Sequence, residues 1–317
     1  MVAVRRAWRP AGIILIYHRV ANLPRDPWRL AVSPEKFEEQ LQIIKTLTTP
    51  MPLRTFRTLA AANRLPPRAM AMTFDDGYRE SLHAIKPLLE RYDVPATFFV
   101  TSGYLDGHAE FWWDQLEQIV SSQADPTAVL DAIGHRDTAP ANASPGLDAS
   151  TAVCRTLWTR IYTLSPAERT ATLDKWAASV GTTLDIRDTH RCVTPEELYR
   201  LDAGGLTTIG GHTVSHPPLA TLDVRRQSLE ISQGKKDLED IVDHPITSFA
   251  YPIGRASDFT EDTVQLVREH GFQLACTTSA RPVTFPVDDL RLPRVALHDL
   301  EADRFEEALM WWFREGR

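Results

Sequence analysis

The chain has 317 residues, of which 43% are hydrophobic and 24% are charged, and its formal net charge at pH 7 is −7. This balance is typical of a folded globular protein and excludes a chain dominated by disorder. The acidic charge argues against a nucleic-acid partner, because proteins bind phosphate backbones through clustered lysine and arginine side chains. The length accommodates one large α/β domain or two of ordinary size.

The N-terminal segment is basic, but the apolar run that follows it, Ile13–Tyr17, stops at His18. Such a run is too short for the apolar part of a signal peptide and far too short to span a bilayer. The three cysteines, Cys154, Cys192 and Cys276, show no paired spacing, which predicts neither a disulfide framework nor a thiolate zinc site. We therefore expect a cytoplasmic protein without a transmembrane segment.

Short apolar runs alternate with longer segments of helical periodicity, as in an α/β domain with a mainly parallel sheet. The predicted strands are Ile13–Tyr17, Ala69–Phe74, Ala96–Thr101, Leu206–Gly210, Thr247–Tyr251, Gln273–Thr277 and Leu292–Leu297. One predicted helix begins at Ser33. Four others cover Leu82–Arg91, Arg225–Ile241, Glu261–His270 and Ala302–Arg314.

A long stretch at about residues 104–190 interrupts this alternation. Helical pieces such as Phe111–Ser121 and Pro166–Val180 flank a polar segment, Arg136–Ser150. The aromatic residues at the start of the first piece are candidates to stack on a sugar ring, but aromatic residues at helical spacing usually belong to a core. Since strands on both sides of the stretch carry candidate chemistry, we expect one catalytic domain over residues 1–317 with a helical insertion.

The strand Ala69–Phe74 runs directly into Asp75 and Asp76, which precede Gly77. Ligands and catalytic groups gather where parallel strands end. A glycine lets the backbone turn sharply, so the two carboxylates can converge on one centre from different directions. The alternative for an isolated Asp-Asp-Gly sequence is a polar turn in which Asp76 caps a helix.

A pair of histidines, His212 and His216, follows the strand Leu206–Gly210. Their spacing lets both imidazoles face one ion, and the surrounding glycines and prolines exclude the middle of an ordinary helix. Two imidazoles and one carboxylate leave coordination positions for water and substrate, as a catalytic metal site requires. These ligands suit zinc, cobalt or nickel, and the remaining carboxylate is free to act as a base.

These motifs resemble those of the polysaccharide deacetylases of the NodB-homology type, also called carbohydrate esterase family 4. In that family a Thr-Phe-Asp-Asp-Gly motif supplies a catalytic base and a metal ligand, and a His-Ser/Thr-x-x-His motif supplies two further ligands. The resemblance implies Asp75 as the base and Asp76, His212 and His216 as ligands of a divalent ion, zinc before cobalt or nickel. It also implies an irregular (β/α)7 barrel, here with a helical insertion.

The segment Ser248–Gly254 is similar to the family's Arg-Pro-Pro-Tyr-Gly segment, whose backbone amide helps to hold the oxyanion. The resemblance implies Tyr251 and Ile253 as the oxyanion and substrate residues, and a backbone donor does not depend on side-chain identity. Ala250 stands where the family has the arginine that orients the catalytic aspartate. Our candidate for that arginine is Arg294, for which a structural ion pair is the alternative.

Two histidines are candidates for the general acid. The segment Val295–His298 loosely matches the family's C-terminal Leu-x-Leu-His motif. Tyr17 and His18 are similar to the first-strand Tyr-His signature of deacetylases that resemble those acting on poly-N-acetylglucosamine. That subgroup also has the Phe-Ala-Tyr-Pro-x-Gly form of the third motif. We therefore predict that His18 protonates the departing amine, with a structural role as the alternative.

The sequence thus predicts a metal-dependent hydrolase that removes the N-acetyl group from an amino sugar, or from an oligosaccharide or polysaccharide precursor. The expected absence of an export signal favours a lipid-linked or nucleotide-linked substrate. The alternatives are an O-acetyl carbohydrate esterase and a sugar-binding protein with a degenerate site. The sequence leaves the oligomeric state open.

Overall fold

The protein is described here by a computed structural model. Its described residues are 12–107, 109–135, 148–297 and 299–314. The N-terminal segment, most of the predicted polar segment Arg136–Ser150, and His298 lie outside these ranges.

Seven parallel strands form a curled sheet in the order β10-β1-β5-β6-β7-β8-β9, and β4 pairs with β5 beside this path. A separate two-stranded ribbon joins β2 to β3. The strands of the described residues are β1 (Ile13–Tyr17), β2 (Arg19–Val20), β3 (Ala31–Val32), β4 (Thr49–Pro50), β5 (Ala69–Phe74), β6 (Ala96–Val100), β7 (Thr207–Gly211), β8 (Ser248–Ala250), β9 (Leu274–Cys276) and β10 (Val295–Ala296).

The sheet closes on itself between β9 and the residues just before β10. Leu292 forms a parallel bridge with Cys276. The Leu292 amide donates to the Ala275 carbonyl, and the Thr277 amide donates to the Leu292 carbonyl, both at 2.8 Å. Since β10 pairs in parallel with β1, the seven strands complete a barrel, and the predicted irregular (β/α)7 barrel is confirmed.

Helices surround the barrel and join its strands. The predicted helix Leu82–Arg91 begins with a π-helical turn at Ser81–Ile85 before it becomes regular. The α-helices of the described residues are α1 (Pro34–Leu47), α2 (Leu53–Ala61), α3 (Lys86–Tyr92), α4 (Trp112–Ser121), α5 (Pro126–Ala132), α6 (Ala149–Ile161), α7 (Pro166–Ser179), α8 (Pro195–Asp202), α9 (Val224–Val242), α10 (Glu261–Glu269) and α11 (Ala302–Arg314). No helix within the described residues combines the length and apolarity needed to cross a bilayer.

Two hydrophobic layers hold the barrel together. Strands β1 and β5 are buried along their whole length, as expected for parallel strands covered on both faces. Ile14, Ala71, Phe99, Ala250 and Leu292 meet in one cluster. Because these residues come from strands all around the sheet, the cluster fills the barrel interior. The alternate side chains of the same strands pack against the surrounding helices.

The stretch between β6 and β7 contains helices α4 to α7, which pack around a hydrophobic cluster of their own. Tyr78 and Cys192, from outside these helices, join this cluster and attach it to the rim of the barrel. Phe111, Trp112 and Trp113 belong to the same cluster and are at most 6% exposed, which agrees with core packing. The helices therefore form a layer that is anchored beside the C-terminal ends of β5 and β6.

Candidate active site

The two aspartates follow the last residue of β5, at the C-terminal edge of the barrel. The Asp75 amide donates to the Tyr17 carbonyl and so extends the pairing of β5 with β1. The chain then turns sharply, because Asp76 has a φ of 74° and Gly77 a φ of 90°. A Cβ at Gly77 would lie 2.9 Å from a methyl carbon of Val100, so glycine is required there. The turn sends the two carboxylates toward different partners.

Asp75 is paired with Arg294, and both side chains are buried. The guanidinium Nη1 and Nη2 donate to Oδ1 and Oδ2 of Asp75 at 2.6 and 2.7 Å, and Arg294 Nε donates to the Thr277 carbonyl at 3.0 Å. Burial alone would raise the pKa of Asp75, but the charges of Arg294 and the nearby histidines, together with the Arg294 hydrogen bonds, outweigh this and hold the pKa below its ordinary value. The structure therefore places Arg294 where it fixes an ionised Asp75 in one orientation.

The histidine motif forms a tight loop after β7. Thr213 and His216 both have left-handed backbone conformations, with φ of 68° and 54°. Residues other than glycine adopt such conformations at a cost of about 1 kcal/mol or more, so the surrounding structure must hold the loop. Glu230 of α9 does this, because its carboxylate accepts from the amides of Val214 and Ser215, each at 2.9 Å. The helix thus fastens the loop that carries the two imidazoles.

Asp76, His212 and His216 converge on one point. Oδ1 of Asp76 lies 3.7 Å from Nε2 of His212 and 3.4 Å from Nε2 of His216. The three potential ligand atoms lie within 4.8 Å of one another. Nδ1 of His212 is 2.8 Å from the Ala250 carbonyl, which accepts its proton and leaves the lone pair on Nε2. That buried Nε2 has no hydrogen-bond partner among the described residues. Its free lone pair fits a role as a metal ligand.

The electrostatics of this group also fit a cation. Burial lowers the pKa of both His212 and His216, which keeps the imidazoles in the neutral form that binds metals. Burial, followed by the charge of Asp75, raises the pKa of Asp76 well above its ordinary value. A divalent ion would offset the cost of burying the ionised Asp76. The donor set of two imidazoles and one carboxylate matches zinc, cobalt or nickel.

A cavity of about 580 Å³ opens above these groups. His18, at the end of β1, is half-buried and lines the cavity together with both aspartates and both histidines. The helical layer between β6 and β7 supplies the opposite wall. From that layer the cavity is lined by Trp112, Trp113, Arg155, Trp158 and Thr159.

Of the two residues predicted around the oxyanion, one lines the cavity and one does not. Ile253 is a lining residue with a φ of 62°, and its amide N–H donates to no group in the described ranges. A free backbone donor at this place is what an oxyanion requires. The Tyr251 side chain instead packs inside the protein, where its hydroxyl donates to the Leu290 carbonyl at 2.9 Å. It also stacks on Phe259, at 4.1 Å between ring centroids.

A buried polar network behind the histidines was not predicted from the sequence. The Arg19 guanidinium lies 4.0 Å over the Tyr78 ring, and the Tyr78 hydroxyl donates to Asp114 at 2.7 Å. Trp113 Nε1 donates to the Tyr78 hydroxyl at 2.8 Å, and the Trp113 ring lies 4.8 Å from the His216 ring. Burial raises the pKa of Asp114 to about 7. The network fixes the indole that contacts a potential metal ligand.

Gly234 of α9 sets how closely that helix approaches the histidine loop. A Cβ there would lie 2.8 Å from the carbonyl carbon of Thr213 and 3.0 Å from its oxygen. We expect Gly234→Ala to lower the free energy of unfolding by about 1–2 kcal/mol. The free-energy cost of overpacking exceeds the stabilisation that the higher helix propensity of alanine provides. It should also weaken zinc binding by displacing the loop.

Urea denaturation and zinc titration measure these two effects. Gln233→Ala is the matched control, because it changes the neighbouring, exposed position of the same helix. Equal stability and equal zinc affinity in the two variants would show that α9 does not constrain the loop.

The sequence model of one known family, described as polysaccharide deacetylase, matches residues 62–125 and 170–275, more than half of the chain. The gap between the matched stretches, residues 126–169, falls within the helical layer between β6 and β7. Both aspartates and both histidines lie inside the matched stretches, whereas His18 and Arg294 lie outside them.

Solved structures and one curated relative are also similar. The Streptococcus pyogenes deacetylase PplD superimposes with a TM-score of 0.62 at 18% identity, over 97% of this chain and 100% of that chain. IcaB from Ammonifex degensii superimposes with a TM-score of 0.61 at 20% identity, over 96% of this chain and 97% of that chain. These likenesses show the fold alone. The YxkH protein of Bacillus subtilis (strain 168) is 28% identical over 86 residues, and the match spans 27% of this chain and 29% of that protein.

Proposed function

Because this chain belongs to the polysaccharide deacetylase family, we propose that it is a metal-dependent carbohydrate deacetylase that removes the N-acetyl group of an amino sugar. One observation carries the proposal. The ionised, arginine-bound Asp75 and the donor set Asp76, His212 and His216 line the same cavity. A base beside a catalytic metal site can hydrolyse an acetamide, because the metal polarises the carbonyl and the base takes a proton from the attacking water.

Asp76, His212 and His216 would hold the ion, which we propose to be zinc, with cobalt and nickel as ions that the same donors accept. When bound, it supplies the Lewis acidity that polarises a carbonyl and lowers the pKa of water. Ala250 orients one ligand through its carbonyl, and Glu230 holds the loop that carries both imidazoles.

Asp75 is the proposed base. Each of its oxygens accepts one hydrogen bond from Arg294 and keeps a further lone pair, so the carboxylate can take a proton from the attacking water. Because Arg294 holds both oxygens, the carboxylate cannot rotate away from the cavity. Arg294 is therefore a positioning residue. It takes the role of the family's arginine, whose position in the third motif is occupied by Ala250 in this chain.

Two further groups complete the proposed reaction. The free amide of Ile253 donates to the oxygen that gains negative charge in the tetrahedral intermediate. His18 then gives a proton to the departing nitrogen, because an amine leaves far more readily than an amide anion. The acetylated sugar enters between the barrel edge and the helical layer. We propose that barrel and layer form one catalytic domain, since both line the cavity.

The role of His18 separates N-deacetylation from O-deacetylation. An alkoxide leaves with less help from an acid than an amine does, so an O-acetyl esterase needs His18 less. We expect His18→Ala to lower acetate release from tri-N-acetylchitotriose by about a hundredfold. The same variant should change hydrolysis of an O-acetylated xylooligosaccharide by much less.

Acetate and free amine are measured in parallel on both substrates. His83→Ala serves as the control, because His83 pairs with Glu197 outside the cavity. If His18→Ala retains nearly full turnover and the O-acetylated sugar is the faster substrate, the protein is an O-acetyl esterase.

A further inference from the structure

Two arginines stand in the wall of the active-site cavity and play no part in the chemistry proposed above. Arg155 lies on α6, in the helical layer, and Arg255 follows β8 on the barrel side. Both line the same cavity as Asp75 and Asp76. The cavity in which an acetamide would react therefore presents cationic groups from two separate parts of the chain.

Neither guanidinium is neutralised by an acid within the described ranges. The carboxylates that line the cavity are those of Asp75, which is bound by Arg294, and Asp76, which faces the two histidines. The chain as a whole carries a net charge of −7. The part of the cavity wall that contains the two arginines is therefore positively charged in a protein that is acidic overall.

The acid nearest to Arg255 in sequence is also occupied elsewhere. Asp258 is buried, and its carboxylate accepts from the Tyr162 hydroxyl and from the backbone amide of Arg255 at 2.9 Å. The exposed Arg255 guanidinium remains outside this arrangement. Asp258 thus shapes the backbone that presents Arg255 without cancelling its charge.

Both side chains are nevertheless held in place. The Arg255 guanidinium carbon lies 5.8 Å from the ring centroid of Trp158, within the range of a cation–π contact. Arg155 Nε donates to the Pro27 carbonyl at 3.3 Å, which leaves its two terminal nitrogens available. Trp158 itself stacks on Trp112, with ring centroids 5.9 Å apart. The arginines are thus restrained by neutral groups, which lowers the entropy cost of binding an anion.

We propose that the natural substrate carries an acidic substituent, a phosphate or a carboxylate, beside the acetamido sugar, and that Arg155 and Arg255 bind it. This inference rests on the proposed function, whose substrate class it narrows. A guanidinium donates to phosphate or carboxylate oxygens through paired N–H groups. A cavity of about 580 Å³ lies within the range that holds a small ligand, so a sugar and its substituent fit together.

The test compares each acidic sugar with a neutral sugar of the same size. N-acetylglucosamine 1-phosphate, which carries a phosphate, is compared with methyl N-acetylglucosaminide. N-acetylglucosaminyl glucuronic acid, which carries a carboxylate, is compared with N-acetylglucosaminyl glucose. We expect at least one acidic sugar to be deacetylated with a kcat/KM about tenfold above that of its neutral counterpart, mainly through a lower KM. The acidic sugar that shows this preference identifies the substituent.

The variant Arg155→Gln/Arg255→Gln should lose this preference. Arg54→Gln/Arg64→Gln should keep it, because it removes the same two charges from exposed positions outside the cavity. A preference that survives the double substitution would overturn the inference, and so would deacetylation of acidic and neutral sugars with equal kcat/KM by the unchanged protein.

A binding measurement separates this inference from the proposed function. Calorimetric titration of the zinc-loaded Asp75→Asn protein with each acidic sugar requires no turnover. Binding that weakens about tenfold in the added Arg155→Gln/Arg255→Gln background supports the anion site. If that result came with no deacetylation of any sugar by the unchanged protein, the proposed function would fail and the anion site would stand. Equal binding in both backgrounds would remove the site.

Discussion

Asp75→Asn is expected to reduce acetate release from N-acetylated sugars by about a thousandfold, because an amide cannot accept the proton of the attacking water. Zinc should still bind, since Asp76, His212 and His216 are unchanged. The comparison is a steady-state measurement of acetate release alongside a zinc titration. Turnover within a few fold of the unchanged protein would show that Asp75 is not the base.

The same substitution carries a stability cost that must be kept apart from its chemical effect. It leaves the buried Arg294 opposite a neutral amide, and breaking a buried ion pair in this way costs about 3–5 kcal/mol. Activity should therefore be measured well below the melting temperature of the variant. Asp289→Asn is the matched control, because it breaks the half-buried pair with Arg57 outside the cavity and should leave turnover intact.

Removal of the metal is expected to abolish acetate release and to lower the melting temperature. An ion that binds only the folded state stabilises it by about 2.7 kcal/mol at a concentration one hundred times its dissociation constant. Chelation should remove this stabilisation, and zinc should restore it. In His216→Ala the zinc-induced rise in melting temperature should be lost, because one of the three ligands is gone.

His270→Ala provides the comparison for that experiment. His270 ends α10, where its ring is hydrogen-bonded to Ser228, and it does not line the cavity. This variant should keep the full response to zinc. An unchanged zinc response in His216→Ala would remove His216 from the ligand set.

The strands of the barrel could be predicted best where the sequence is uniformly apolar. The strands β1 and β5 have the predicted bounds, because short, wholly apolar runs between polar residues permit few other structures. The last predicted strand, Leu292–Leu297, is reduced to a bridge at Leu292 and a pair of residues in β10. Pro293 lies between these two parts, and proline has no N–H to donate to a neighbouring strand.

The helices α2 and α6 are among those that were not predicted. In α2 the buried Leu53, Phe56 and Ala60 follow a helical spacing, but the helix has only nine residues. In α6 the buried positions are mixed with threonine and alanine, which weakens the contrast between its faces. Such helices are stabilised mainly by tertiary packing, and that packing cannot be inferred from a local window.

The candidate site likewise contains residues that could be predicted from the sequence and residues that could not. Its aspartates and histidines stand directly after strands, so local sequence was enough to propose them. The network of Arg19, Tyr78 and Asp114 joins parts of the chain that are far apart in sequence. The role of the Ala250 carbonyl leaves no trace in the side chain at all. These contributions depend on the assembled barrel, so no pattern along the sequence marks them.

The closure of the barrel has a consequence for the newly made protein. Synthesis proceeds from the N-terminus, so a chain emerging from the ribosome contains Asp75 long before it contains Arg294. The pairing of β10 with β1 brings the arginine to its place, beside the strand that precedes His18. Until that last pairing forms, the emerging chain has an unrestrained carboxylate and an open barrel. We therefore expect the proposed site to be completed late, when β10 pairs with β1.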